Sequence, residues 1–291
     1  MFLNFTNLEE LSLAFAQISS VLPTSLNISS SLKLLNLAET GLQGKLPHYI
    51  FNLPSLKTLD LGNNYFTGNI PSEISLLPKL VNLSIGFSDD NMFSGNVRFD
   101  SFSLPSLEEL NLSFNNFSGE WELDTFFSSF RNLEYLELSY SGFSITIING
   151  NHYINPGFEY LGLTSCKLKG FPYLVRAMKQ LKILDLSSNE IHGIRHWAKE
   201  IGALPQLQWH GLRGPFPPSI CNMNQLRFQG TIPSLYFDCE WLTGLSLKGN
   251  QLEGEVPSSL SKCIYLSVLD LGNNHLNGTF PGWLGDLPNL I

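Results

Sequence analysis

A unit of about 24 residues recurs along the chain and constrains its fold more than any other feature. Residues 56–77 read LKTLDLGNNYFTGNIPSEISLL, and residues 242–263 and 266–287 repeat the pattern L-x-x-L-x-L-x-x-N followed by a glycine and a proline. The second leucine falls at 11, 35, 59, 83, 110, 136, 161 and 184, then at 245 and 269. Twelve units can be counted, ten of them reasonably whole. Tandem units of this length predict a solenoid with one coil per unit.

Each position of the unit has a structural role. The L-x-L alternation is the period of a short strand with inward leucines, so the coils together predict a parallel sheet along one side. The asparagine amide both donates and accepts, and can satisfy backbone groups between neighbouring coils. The glycine permits a turn, and the proline then ends the strand ladder and leads into the convex side. This structural asparagine ladder comprises Asn64, Asn115, Asn189, Asn250 and Asn274, with Thr40, Ser141, Cys166 and Ala16 as substitutes.

The stretch GLRGPFPPSICNMNQLRFQGTIP, residues 211–233, interrupts the repeat. Its two bend glycines, Gly214 and Gly230, lie only 16 residues apart, and the L-x-L-x-x-N segment is missing before both. The sequence therefore predicts a solenoid of about eight coils at 1–200, irregular shortened repeats without strands at 201–241, and about two further coils at 242–291.

Composition excludes several classes of protein. With 43% hydrophobic and 14% charged residues, the chain is too apolar for disorder and too poor in charge for a coiled coil. A net charge of −8 argues against nucleic-acid binding, which needs a basic surface. The first residues do not resemble a signal peptide, and no apolar run of about 18 residues predicts a membrane span.

Motifs of catalysis are absent from the sequence. It contains no P-loop, G-x-S-x-G, H-E-x-x-H, dinucleotide fingerprint or kinase motif, so we expect no enzymatic activity, no cofactor and no metal. His192, His196 and Glu200 have the i, i+4, i+8 spacing of a helical zinc site, but they flank a bend glycine of the repeat. We interpret them as polar residues on a convex loop.

The four cysteines form no C-x-x-C pair. Cys166 stands at the asparagine position of its coil and Cys263 at an apolar convex position, so both are interpreted as buried structural thiols. A bridge between Cys221 and Cys239 stays open, because spacing alone does not test its geometry.

The unit with its G-x-I-P tail resembles the plant-specific class of extracellular leucine-rich repeats, over about residues 3–291. Stretches such as LNLAETGLQGKLPHYIFNLPSLKTLDLGNN and GPFPPSICNMNQL are most similar to the ectodomains of receptor-like proteins, which are receptors without a kinase domain. The resemblance implies an α/β-type repeat solenoid, a leucine-rich-repeat superhelix with a concave parallel β-sheet and an irregular or 3-10 convex side. It also implies extracellular repeats at the plasma membrane and signalling through partner receptor kinases. The caps, signal peptide and membrane anchor of that family are not matched here.

The outward positions of the strands are the predicted binding surface. Three consecutive coils place Phe87, Phe114 and Tyr140 in one column, and Tyr135 and Tyr160 form a second. Exposed aromatic side chains in a row can anchor a protein or peptide partner, or can pack on each other. A column of carboxylates could similarly meet a basic ligand: Asp60, Glu137, Asp185 and Asp270.

Six sequons permit N-glycosylation in a secreted protein. A glycan on Asn111 would lie on the concave sheet and shield part of it. The candidate acceptors are Asn4, Asn27, Asn82, Asn111, Asn116 and Asn277.

Three functions remain open at the level of sequence. The first is a non-enzymatic module for protein or peptide recognition, a part of a receptor-like ectodomain in defence or developmental signal perception. The second is a secreted inhibitor of microbial cell-wall enzymes, similar to polygalacturonase-inhibiting proteins. The third is a truncated gene product without a function of its own.

Overall fold

The computed structural model describes residues 7–87, 91–97, 104–148, 154–169, 229–231, 244–246 and 251–290, and most of 172–189. The chain divides into two compact units, Met1–Asn155 and Pro156–Ile291. This division differs from the predicted boundaries after residues 200 and 241.

The first unit consists of short strands joined by turns and helices. In chain order its strands are β1 (Glu10–Ser12), β2 (Leu34–Asn36), β3 (Gln43–Gly44), β4 (Thr58–Asp60), β5 (Tyr65–Gly68), β6 (Asn82–Ser84), β7 (Met92–Asn96), β8 (Glu109–Asn111), β9 (Asn116–Ser118), β10 (Glu120–Glu122), β11 (Tyr135–Glu137) and β12 (Ser144–Thr146).

The concave sheet of this unit has the order β1-β2-β4-β6-β8-β11, and all of its described pairs are parallel. The leucine at the centre of each strand stands beside the corresponding leucine of the next coil, as in the pairing of Leu59 with Leu83. These leucines are at most 5% exposed from β2 to β11. The predicted solenoid with one L-x-L strand per coil is therefore confirmed.

A second set of strands follows the asparagine position and forms a lateral sheet in the order β3-β5-β7-β9, while β10 pairs with β12. Behind it lies a stack of buried rings, with centroid distances of 5.9 Å from Phe66 to Phe93, 6.5 Å from Phe93 to Phe117 and 5.2 Å from Phe117 to Phe143. The phenylalanine of N-x-F-x-G thus builds a second part of the core beside the leucines.

The convex side is made of short helices, and the proline of the repeat directly precedes each 3-10 helix. In the first unit these 3-10 helices are His48–Asn52 and Ser72–Leu76. One coil has an α-helix instead, α1 (Leu123–Ser129), which begins where the Glu122 carboxylate accepts hydrogen bonds from the backbone of Asp124 and Thr125. The predicted 3-10 convex side is confirmed.

The second unit repeats the same elements. Its strands are β13 (Tyr160–Gly162), β14 (Ile183–Asp185), β15 (Gln229–Thr231), β16 (Gly244–Ser246), β17 (Gln251–Gly254), β18 (Val268–Asp270) and β19 (His275–Leu276), and its 3-10 helices are Tyr173–Ala177, Ser258–Lys262 and Gly282–Asp286. Strand β13 pairs with β14 and β16 pairs with β18, whereas β15, β17 and β19 form a lateral sheet.

Strand β15 lies inside the segment 201–241, for which the sequence predicts no strand. Its pairing of Gly230 with Leu252 shows that it is a lateral strand of the N-x-F-x-G type. It follows the L-x-L-x-x-N position that is missing from the sequence, so the prediction overlooked the second strand of the unit. The rest of 201–241 lies outside the described residues.

Candidate functional site

The asparagine ladder fixes the coils on which the candidate surface is built. Asn64 is fully buried, and its Oδ1 accepts from the Thr40 and Leu42 backbone N–H groups at 3.2 and 2.9 Å. Its Nδ2 donates to the Leu37 carbonyl of the preceding coil at 2.7 Å and to the carbonyls of Leu61 and Gly62 at 3.1 Å each. One side chain thus satisfies backbone groups of two coils.

Other ladder asparagines make similar bonds. Asn115 and Asn189 each bond backbone groups of the preceding coil, and the Asn274 Nδ2 donates to the carbonyls of Leu271 and Gly272. Asn250 lies outside the described residues. Ser141, which replaces the asparagine, is fully buried, and its hydroxyl has no hydrogen-bond partner among the residues that the structure describes.

Sequence reasoning missed one member of the ladder, Asn91. Its Oδ1 accepts from Phe66 N–H at 3.1 Å, and its Nδ2 donates to the carbonyls of Leu61 and Ile85 at 3.0 Å each. Three extra residues in this coil shift the asparagine away from the leucines. Counting back from the bend glycine would have found it, since NMFSG at 91–95 matches NYFTG at 64–68.

The residue before the ladder position adopts a left-handed backbone in coil after coil. In the first unit φ is between 49° and 64° at Phe15, Glu39, Asn63, Phe114 and Tyr140. In the coil with the three extra residues, φ is 134° at Phe87, which stands four residues before the ladder asparagine Asn91. Such values are uncommon and costly for bulky residues, so the surrounding ladder must impose them. Ser165, Ser188 and Asn273 occupy the same position with positive φ in the second unit.

Hydrogen bonds continue past the strands at this turn. The N–H groups of Phe15, Glu39 and Phe114 donate at 2.9–3.0 Å to the residue that precedes the left-handed position in the next coil. These three turns therefore continue the hydrogen bonding of the strands, and the predicted aromatic column lies at this edge of the concave sheet.

The structure divides the aromatic column into two parts. Phe114 and Tyr140 are half-buried, and their rings stack at 5.0 Å with an interplanar angle of 29°. Phe87 is 65% exposed and has no ring partner among the described residues. Phe114 and Tyr140 thus pack on each other, as one alternative proposed, while Phe87 remains open to a partner.

The second aromatic column lies on the strands themselves. Tyr135 is half-buried on β11 and stands in register with Glu109 of β8. Tyr160 is half-buried on β13 in the second unit.

The predicted column of carboxylates serves the fold. The Asp60 Oδ1 accepts from Gly62 N–H at 3.0 Å, Glu137 Oε1 from Ser139 N–H at 2.8 Å, and Asp270 Oδ1 from Gly272 N–H at 3.0 Å. Asn36 and Asn111 make the same bond to the residue two places on. These side chains hold the turn that follows each strand. Asp185 ends β14 at the same position.

A different group of carboxylates lies at the opposite edge of the strands. Glu108 precedes β8, Glu109 begins it, and Glu134 precedes β11. All three are exposed. Burial, and then repulsion by Glu108 and Glu134, raises the pKa of the Glu109 carboxyl. These glutamates are visible in the sequence as LEEL at 107–110 and LEYL at 133–136. The predicted carboxylate column instead consists of residues at the last position of each strand.

The sequons differ in accessibility. Asn27, Asn116 and Asn277 are exposed, whereas Asn82 is half-buried and donates to Glu109 Oε2 at 3.1 Å. Asn111 is 8% exposed, and its Oδ1 accepts from the N–H and hydroxyl of Ser113. The folded domain therefore does not present Asn111 for a glycan on the concave sheet. Asn4 lies outside the described residues.

No cluster of metal-ligating side chains occurs within the described ranges, and His192, His196 and Glu200 fall outside them. Cys166 is buried with its thiol 3.6 Å from the Thr164 carbonyl. Cys263 is buried and disulfide-bonded, so its interpretation as a thiol is wrong. None of the helices in the described ranges has the length and apolar character that crossing a lipid bilayer requires.

Family comparisons agree with this repeat architecture. A family model described as Leucine Rich Repeat matches residues 55–77, 241–263 and 265–287, and a second, Leucine Rich repeat, matches residues 103–120. These segments contain the strands β4, β16, β18 and β8. The chain contains leucine-rich repeats.

Its sequence relatives include plant receptors that are much longer. Receptor-like protein 47 of Arabidopsis thaliana is 33% identical to this leucine-rich-repeat chain over 110 residues, covering 35% of the chain and 13% of the relative. Receptor like protein 23 of the same plant is 28% identical over 130 residues, covering 42% of the chain and 14% of the relative. The matched regions thus span a small part of these receptors.

Solved structures match nearly the whole chain. The crystal structure of PEPR1–AtPEP1 has a TM-score of 0.75 at 30% identity, covering 98% of this chain and 38% of that one. The plant peptide hormone receptor RGFR1, in complex with RGF2, has a TM-score of 0.74 at 25% identity, with coverage of 98% and 47%. The leucine-rich-repeat chain therefore spans less than half of either structure.

Proposed function

We propose that this chain is a non-enzymatic recognition module that binds a peptide or protein ligand on its concave sheet. Its role is that of a part of a plant receptor ectodomain, in defence or developmental signal perception, with partner receptor kinases. The similarity to PEPR1 and to the peptide hormone receptor RGFR1 supports this proposal.

One observation carries the proposal: a backbone turn that repeats from coil to coil holds three aromatic side chains at one edge of the concave sheet. Phe87 is 65% exposed beside the stacked pair Phe114 and Tyr140. A fixed turn reduces the entropy lost on binding, and aromatic anchors contribute large contact areas. Candidate contacts on the strands are Tyr135 and, in the second unit, Tyr160.

Single alanine substitutions test the proposal. A random peptide library displayed on phage is selected against the purified full chain, and the best peptide is synthesised for titration. We expect Phe87→Ala to weaken its binding by about 1–2 kcal/mol, with similar losses for Phe114→Ala and Tyr140→Ala. Phe280→Ala is the matched control, because Phe280 is 84% exposed in the second unit, in the turn before its last 3-10 helix. Unchanged affinity in all three concave variants would show that the column is only packing.

A further inference from the structure

The three carboxylates at the entry edge of β8 and β11 lie on directly neighbouring coils. The Glu108 N–H donates to the Val81 carbonyl at 2.9 Å, and the Glu134 N–H donates to the Glu108 carbonyl at 2.7 Å. Neighbouring strands of a sheet are about 4.8 Å apart, so the negative charges of Glu108, Glu109 and Glu134 are held close together.

This negative charge is not neutralised by the described residues. Asn82 donates to Glu109, but an amide has no charge, and the carboxylates of Glu108 and Glu134 have no hydrogen-bond or ion-pair partner in the described ranges. Elsewhere on the same sheet a carboxylate is paired, since Lys33 Nζ lies 2.6 Å from Glu9 Oε2.

The three coils of this surface have no cation at their strands, since segments 81–87, 108–114 and 134–140 contain no lysine or arginine. Lys57 belongs to the preceding coil, where its carbonyl accepts from the Val81 N–H at 2.8 Å. Lys79 and Arg131 lie in the preceding loops, and the Arg131 Nε donates to the Ser128 carbonyl at 3.4 Å. The face of these three coils thus carries uncompensated negative charge, which a cationic partner would neutralise.

The carboxylates lie on the coils of β8 and β11, at the edge of the strands opposite to the aromatic column. In the first of these coils the strand Glu109–Asn111 lies between Glu108 and Phe114. In an extended peptide successive side chains point to opposite sides. A peptide that crosses these strands can therefore direct alternate residues to the carboxylates and to the rings.

We propose that the concave face of β6, β8 and β11 binds an extended cationic peptide segment. Its lysine or arginine side chains pair with Glu108, Glu109 and Glu134, and its adjacent apolar side chains pack on Phe87 and on the Phe114–Tyr140 stack. This inference rests on the proposed function and adds the chemical class of the ligand.

The same phage-displayed random library, selected against the full chain, tests the inference. We expect enrichment of lysine or arginine next to apolar residues, relative to the starting library. The triple variant Glu108→Gln/Glu109→Gln/Glu134→Gln should bind the synthesised consensus peptide about tenfold more weakly, because exposed charge pairs each contribute little but add. Added salt should weaken binding to the wild-type chain and not to this variant.

The matched control is Glu120→Gln/Glu253→Gln/Glu255→Gln, which makes the same charge change at exposed positions outside the concave strands. It should keep wild-type affinity. Peptides that need Phe87 but carry no cation, or that bind the first triple variant at unchanged affinity, would overturn the inference and leave the proposed function standing. If no peptide is enriched, or binding is insensitive to all three aromatic positions, the proposed function and the inference both fail.

Discussion

At the scale of single residues, one polar side chain per coil determines how well two coils fit together. Asn64 uses both halves of its amide on buried backbone groups, whereas the hydroxyl of Ser141 at the equivalent position has no partner. Buried polar groups without partners cost free energy, while satisfied ones stabilise modestly. The same position of the repeat therefore contributes very differently in different coils.

Two alanine substitutions compare these positions. Asn64→Ala should lower the free energy of unfolding by about 3 kcal/mol or more, because it leaves several backbone groups of Thr40, Leu42 and Leu37 buried without partners. Ser141→Ala should change it by less than about 0.5 kcal/mol or raise it slightly, because it removes a group that is already unsatisfied. Urea titration followed by circular dichroism measures both. Equal losses in the two variants would contradict this view of the ladder.

Asp60 predicts a pH dependence at the same scale. Burial raises the pKa of its carboxyl, although hydrogen bonds from Gly62 and Ser84 oppose this. A carboxyl with a raised pKa in the folded state stabilises the fold only while it is protonated, and stability falls as pH rises from its ordinary pKa through the folded-state pKa. Asp60→Asn should therefore stabilise the chain at neutral pH and have little effect at about pH 3, where the wild-type group is protonated.

Other coils of the same sheet show that asparagine fits at this position, since Asn36 and Asn111 hold the same turn with Oδ1. Thermal unfolding of Asp60→Asn between about pH 3 and pH 7 measures the difference. Asp286→Asn, at an exposed carboxylate, is the control and should show none of it. A loss of stability at neutral pH in Asp60→Asn would mean that the charge itself supports the turn.

At the scale of elements, the turn after each concave strand is the most demanding part of the coil. It combines the Asx-type bond from the last strand residue, a close approach of two coils and a left-handed residue. At Gly86 an added Cβ would lie 2.5 Å from the Asn111 Oδ1 and from the Ser113 nitrogen. Much of this obstruction is backbone, which a side-chain rotation does not relieve.

Gly86→Ala should therefore destabilise the chain by about 2 kcal/mol, as overpacking typically does. Gly282→Ala, in the last 3-10 helix, is the matched control, because an added Cβ there meets nothing within 4 Å. It should be neutral or slightly stabilising through the entropy of the unfolded chain. The urea midpoints of the two variants measure the difference in stability. An unchanged midpoint in Gly86→Ala would show that the coils can separate at this turn without loss of stability.

At the scale of the whole molecule, a solenoid is stabilised by the interfaces between successive coils, and no central core compensates for a missing strand. The sequence lacks the L-x-L-x-x-N segment twice between residues 205 and 240, while each coil at 30–145 keeps the apolar alternation of its strand. We therefore expect the segment between residues 205 and 240 to be locally less stable than the coils at 30–145.

Limited proteolysis tests that expectation. Cleavage should begin between about Pro205 and Glu240, where the repeat provides no concave strand to pair with its neighbours. Mass spectrometry of the first products locates the cuts. If this stretch is as protected as the coils at 30–145, the missing strands have been replaced by other structure, and the division predicted from the repeat is wrong.

The sequence by itself determined the architecture, because the period of 24 residues and the L-x-L alternation are local properties that specify one strand per coil. It also identified Asn64, Asn115 and Asn189 as ladder positions and placed Phe87, Phe114 and Tyr140 on one edge. It missed Asn91 because three inserted residues broke the spacing, and it overlooked β15 because the lateral strand has no leucine alternation. Both features are defined by bonds to another coil, which the local sequence does not show.

Only the tertiary structure decided what each outward side chain does. Whether a ring is a free anchor, as Phe87 is, or packs on a neighbour, as Phe114 does on Tyr140, depends on the residue that the next coil places beside it. The same holds for carboxylates, since Asp60 and Glu137 hold their own turns while Glu108 and Glu134 repel the carboxylate of Glu109. The left-handed turn is likewise imposed by hydrogen bonds between coils. A repeat pattern fixes positions within one coil, and function here depends on contacts between coils.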